Sequence, residues 1–146
     1  MSNKTKSLLF DLIQISSIVF FLSSGQILAF NLILVSFQVL AILILLVAVW
    51  EMRRTKYYRV PDIGKQNELV QGGIYKYIRN PMYLSQLLFF GICVLNTFTI
   101  REFVAYLIFL INFIYKIQYE ERLLNSNFPS FSKYKSSSWR LIPFIY

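Results

Sequence analysis

The chain contains no histidine and one cysteine, Cys93. The first absence removes the commonest general base and the commonest metal ligand. The second rules out a disulfide framework or a thiolate metal cluster, and Cys93 itself lies within an apolar run. Acidic side chains are also scarce, 7 against 15 basic ones, which leaves a net charge of +8. In a water-soluble protein that charge would point to nucleic acid. Here charged residues are only 15% of the chain, hydrophobic ones are 56%, and the mean hydropathy is +0.52. Such a composition belongs to an integral membrane protein whose basic loops face anionic lipid. No small-residue cleavage site follows the first apolar run, which also carries Asp11 and Gln14, so it reads as a retained span rather than a signal peptide.

What is present is a set of apolar runs. They predict an all-α fold with four transmembrane helices, at about 8–24, 27–50, 81–99 and 103–119. The 146 residues suffice for one domain, with a helical hairpin in 1–58 and a motif-bearing region in 67–146. The turn signal Ser23-Ser24-Gly25-Gln26 is short, so the first two spans are expected to pair as an antiparallel hairpin. Asp11 lies one turn into the first span and reads as an interfacial charge, with a polar contact to a neighbouring helix as the other option. The helix ending at Trp50 is expected to run on to Tyr58, where Pro61, Asp62 and Gly64 break it. Between Glu51 and Arg79 basic residues outnumber acidic ones, and the N-terminus and tail share that excess. Four spans put all three on one side, which the charge rule makes cytoplasmic. The aromatic tail from Leu123 to Tyr146 is expected to pack on that face, with a bend at Ser136 to Ser138.

Polar chemistry concentrates in two places. The first is Leu69 to Tyr83, which contains Gly72, Gly73, Arg79, Asn80 and Pro81 and leads into the third span. Glycines permit positive φ and close approach to a ligand. Pro81 suits the first helical turn and Asn80 the N-cap, so this helix start offers a positive dipole end to an anion. The second is Lys116 to Arg122, at the exit of the fourth span, where Glu120 and Glu121 supply carboxylates. A ligand with a carboxylate, an ammonium and a ribose would use both clusters, and an S-adenosyl amino acid is one such ligand. The same features are also ordinary loop punctuation, and spacing alone names no cofactor.

The stretch LVQGGIYKYIRNPMYLS closely resembles the signature of the isoprenylcysteine carboxyl methyltransferase and phospholipid methyltransferase superfamily. The matching residues are Leu69-Val70, Gly73-Ile74-Tyr75 and Arg79-Asn80-Pro81-Met82-Tyr83. A second signature, Glu-Glu-x-x-Leu, appears as Glu120-Glu121-Arg122-Leu123-Leu124, and Tyr134, Arg140 and Pro143 keep the spacing of the tail. The resemblance runs from Asn67 onward. Asn80 stands where the family has His, Pro129 where it has Gly, and Phe131 where it has Tyr.

The resemblance implies a membrane methyltransferase that uses S-adenosylmethionine. Leu69, Val70, Tyr75, Asn80, Pro81, Met82, Tyr83 and Glu120 would hold the cofactor in a cytoplasmic loop. Arg79, Glu120 and Lys116 would act in catalysis, with Lys116 also holding the acceptor. No metal and no nucleic acid is implied; the partners are membrane lipids and a lipophilic or lipidated acceptor. A carboxylate is ionised at neutral pH and needs no base, whereas an amine or thiol must lose a proton. The base candidates are Glu120, Glu121, Tyr75, Tyr83 and Tyr134. The balance favours an isoprenylcysteine-type carboxylate slightly over a phospholipid amine. A nicotinamide-dependent reductase resembling the sterol reductases, and a non-catalytic membrane module with a degenerate site, are the alternatives.

Overall fold

The computed structural model describes residues 3–24, 27–54 and 69–146. All described elements are helical. They are α1 (Asn3–Ser23), α2 (Leu32–Arg54), a single 3-10 turn (Gly73–Lys76), α3 (Pro81–Thr97), α4 (Ile100–Asn127) and the short α5 (Phe131–Ser136). By length and composition α1 and α2 can each cross a membrane, while α3 is a shorter apolar helix. Only 6% and 17% of the apolar windows of α1 and α2 are buried, so neither is the core helix of a water-soluble fold. Their outward faces carry leucine and phenylalanine, as lipid contact requires.

Capping residues move two of the expected boundaries. α2 begins at Leu32 rather than 27, because Asn31 Oδ1 accepts from the Ile33 amide at 2.8 Å and caps the helix. The segment before it is held irregular by Gln38, which accepts from Ala29 N at 3.0 Å and donates to Ile27 O at 2.7 Å. α4 begins at Ile100 rather than 103. Thr99 caps it by accepting from Glu102 N at 3.2 Å, and Glu102 Oε2 accepts from Thr99 Oγ1 at 2.9 Å. The same helix runs on past 119 to Asn127, and Pro129 then forces Phe128 into extended backbone. α1 starts at Asn3 rather than 8, and α3 stops at Thr97 rather than 99. α2 reaches Arg54; the expected continuation to Tyr58 and the break at Pro61 to Gly64 lie outside the described residues.

The first helix does not pair with the next one in the chain. α1 packs mainly on α4, and α2 packs on α3. The hairpin expected from the short turn is therefore not the packing unit. The reason is polar as well as apolar, because α4 presents Lys116 and Asn112 to α1. Asn112 Nδ2 donates to Phe10 O at 3.2 Å, and Lys116 meets Asp11 at 2.7 Å. Asp11 is thus an interhelical partner rather than an interfacial charge.

Aromatic rings fill the centre. Phe21 stacks on Phe90 at 4.9 Å, and Phe109 and Phe113 are fully buried between α1, α3 and α4. Gly91 allows α3 and α4 to approach, since a Cβ there would lie 2.9 Å from the Tyr106 hydroxyl. That hydroxyl donates to Leu87 O at 3.1 Å. A smaller cluster of Ala48, Val70 and Tyr75 ties the segment before α3 to α2.

The tail folds back onto that same segment. Ile78 and Trp139 form a parallel bridge, with Arg79 N donating to Trp139 O at 2.7 Å and Trp139 N to Tyr77 O at 2.9 Å. α5 ends at Ser136, and the chain then turns at Ser137 and bends at Ser138, within the expected stretch. The N-terminal part of α1, the C-terminal parts of α2 and α4, and the start of α3 therefore meet at one end of the bundle, and the tail closes over them.

Candidate functional site

A cavity of about 650 Å³ lies at that end. The volume is in the usual range for a small-molecule site. Each element reaches it for a local reason. Pro81 fixes the first turn of α3, so Asn80, Pro81, Met82 and Tyr83 project along its floor. The unbroken α4 carries Lys116, Glu120 and Glu121 at helical spacing up one wall. Leu69, Val70 and Tyr75 line another side, and Asp11 and Gln14 of α1 close the cavity opposite.

The residues singled out from sequence are thus gathered around one space. Leu69, Val70, Tyr75, Arg79, Asn80, Pro81, Met82, Tyr83, Lys116 and Glu120 all line it. Their bonding is less uniform than the motif suggests. Glu120 accepts from the Tyr83 hydroxyl at 2.8 and 3.0 Å, and Tyr83 is braced by stacking on Phe113 at 4.6 Å. The carboxylate is therefore fixed at the cavity wall.

Glu121, by contrast, is committed to the protein. Its side chain is 8% exposed and lies 3.1 Å from Arg79 Nε and 2.9 Å from Arg140 Nη2. Arg79 also donates from Nη1 to Lys135 O and Ser138 Oγ, each at 3.1 Å, and to Ser138 O. Arg79 and Glu121 hold the tail against the start of α3. The hydrogen bond that Arg140 donates to Glu121 raises the pKa of Arg140 above its ordinary value, against the opposing effect of desolvation. Glu121 is accordingly a brace rather than a ligand-holding carboxylate.

Asn80 occupies the N-cap position, but its side chain makes no cap. Its Nδ2 donates to Arg140 O at 3.1 Å instead, and its backbone N–H donates to the same carbonyl. Where the resembling family has His, this residue acts as a tail anchor. Tyr134 donates its hydroxyl to Tyr75 O at 2.6 Å. Burial pushes its pKa up to about 12, with Arg79 and Ser138 pulling the other way. It therefore keeps its proton at neutral pH.

Gly73 has φ +54°, the left-handed region. A Cβ there would strike the Glu51 carboxyl group, so the close approach is to α2 rather than to a ligand. Gly73→Ala is expected to lower stability by about 1–3 kcal/mol through backbone strain and this contact. Thermal unfolding in detergent would show it, and an unchanged midpoint would remove the glycine requirement.

Sequence reasoning missed Gln14 and Gln86 and took Asp11 for an interfacial charge. Gln14 Nε2 donates to Gln86 Oε1 at 2.9 Å, and Gln14 Oε1 accepts from Lys116 at 2.7 Å. Three polar side chains turned inward on otherwise apolar helices were the available signal.

The fold and the cavity define a helical membrane protein with a polar, ligand-sized site at one end of its bundle. The sequence model of the phospholipid methyltransferase family matches residues 27–130, well over half of the chain, and the chain belongs to that family. It is a membrane methyltransferase. No curated protein and no solved structure matches it.

Proposed function

We propose that the chain transfers a methyl group from S-adenosylmethionine to a lipophilic acceptor in the cavity at the end of the bundle. One observation carries this reading: residues of two motifs separated in sequence, Leu69–Tyr83 and Lys116–Glu120, line a single cavity of about 650 Å³. The donor set suits the cofactor. The Pro81–Met82 end of α3 would favour its carboxylate through the helix dipole. Glu120, fixed by Tyr83, would favour its ammonium, ribose hydroxyls or sulfonium. Val70, Met82, Leu124 and Phe131 supply apolar wall. S-adenosylmethionine, when bound, provides a methyl group activated by the sulfonium.

The protein's part is then to exclude water and align the acceptor. Arg79 and Glu121 act as positioning residues by holding the tail over the site. Topologically, α3 and α4 complete four passes with α1 and α2, and the basic loops and both ends of the described chain lie with the cavity on the cytoplasmic side. The two acceptor classes are a carboxylate of isoprenylcysteine type, to be O-methylated, and a phospholipid amine.

The test is transfer of labelled methyl from S-adenosylmethionine into a total lipid extract by the purified protein. Label in a lipid species, lost in the Glu120→Ala variant, is the expected result. Binding of a reduced nicotinamide cofactor without binding of S-adenosylmethionine would overturn this in favour of a reductase. Binding of neither would leave a non-catalytic membrane module.

A further inference from the structure

α1 lies outside the matched residues 27–130, yet it supplies one side of the cavity. Asp11 Oδ1 and Gln14 Oε1 each sit 2.7 Å from the Lys116 ammonium. The bond from Gln14 to Gln86 fixes the amide so that its oxygen faces the ammonium. An ammonium has three donors. Two are taken by these oxygens, and the Tyr83 ring lies 5.2 Å from Nζ. Lys116 is thus satisfied by the protein, with its side chain 8% exposed, whereas that of Asp11 is 41% exposed and lines the cavity. The accessible member of the pair is the anion.

We propose that Asp11 selects the acceptor by charge. It occupies the ammonium that an incoming carboxylate would need, so the cavity rejects lipophilic carboxylates and admits a hydrogen-bond donor such as an amine headgroup. This rests on the methyltransferase reading above, and it reverses the sequence-based preference for a carboxylate. A carboxylate entering the cavity meets Asp11 and Glu120 and must break a 2.7 Å ion pair to reach Lys116. A donor headgroup meets the outward carboxylate of Asp11 directly. Selection of this kind works by repelling the wrong ligand as well as by attracting the right one.

The experiment is equilibrium binding to the purified full-length chain in detergent. The probes are N-acetyl-S-farnesylcysteine, a lipophilic carboxylate, and its uncharged methyl ester. Asp11→Asn keeps the shape and removes the charge. It should tighten carboxylate binding by about tenfold or more, the size of one charge pair's coupling, and barely change ester binding. Asp11→Glu should restore the rejection, and adding Lys116→Gln to Asp11→Asn should cancel the gain. If Asp11→Asn is not recovered folded, Asp11→Ser serves the same purpose. Equal carboxylate affinity in wild type and variant, or an equal gain for the ester, overturns the proposal. Binding is read without turnover, so failure of methyl transfer would sink the function and leave this result to be judged separately.

Discussion

Replacing Glu121 with alanine is expected to release the tail and destabilise the protein by about 3–5 kcal/mol, the usual loss when one partner of a buried ion pair is removed. Glu121 sits between Arg79, 7% exposed, and Arg140, 27% exposed. Without it two guanidinium groups face each other with no intervening charge. Arg79 also anchors Ser138 and Lys135, so its displacement would carry the Ile78–Trp139 bridge with it. Because the tail covers the cavity, cofactor binding should fall as well. Thermal unfolding in detergent and protease cleavage after Lys133 or Lys135 would read both effects. An unchanged midpoint with an intact tail would show that Glu121 is not the brace.

Glu120→Ala should behave differently. Glu120 accepts from the Tyr83 hydroxyl at the cavity wall, whereas Glu121 is locked between two guanidinium groups. Removing Glu120 should leave stability within about 1 kcal/mol. Affinity for S-adenosylmethionine should fall about 10- to 100-fold, as expected for loss of one charge-assisted hydrogen bond to a cationic or hydroxyl group. Tyr83→Phe should lose less, because the carboxylate remains but is no longer fixed. Calorimetry with the cofactor, run beside thermal unfolding, separates the adjacent carboxylates: one change lowers binding alone, the other lowers stability and binding together. Unchanged affinity in Glu120→Ala would remove it from the site.

Much of this arrangement was legible in the chain. The apolar runs gave the helices, Pro81 marked the start of α3, and the two motifs picked residues that share one cavity. Hydrophobic runs also gave approximate ends, but caps decided the real ones. Thr99 and Glu102 form a recognisable capping pair, yet an apolar count passes over them. Partnership between helices was the part that stayed hidden. Asp11 and Lys116 are 105 residues apart, and nothing local distinguishes an interhelical charge from an interfacial one. The role of Asn80 was equally hidden, since its side chain bonds a carbonyl 60 residues away rather than its own helix.

The pairing of α1 with α4 also bears on how the protein comes to be assembled. During synthesis Asp11 is made with α1, and its partner Lys116 follows only when α4 has been made. Both lie toward the cavity end of the bundle, where a lone charge costs less than the roughly 2.5–3.5 kcal/mol it would cost at the centre of a spanning helix. The two can therefore wait near the lipid headgroups until they meet. Closing the bundle is then one late event that neutralises both charges, seals the seam between the earliest and a late helix, and creates the cavity.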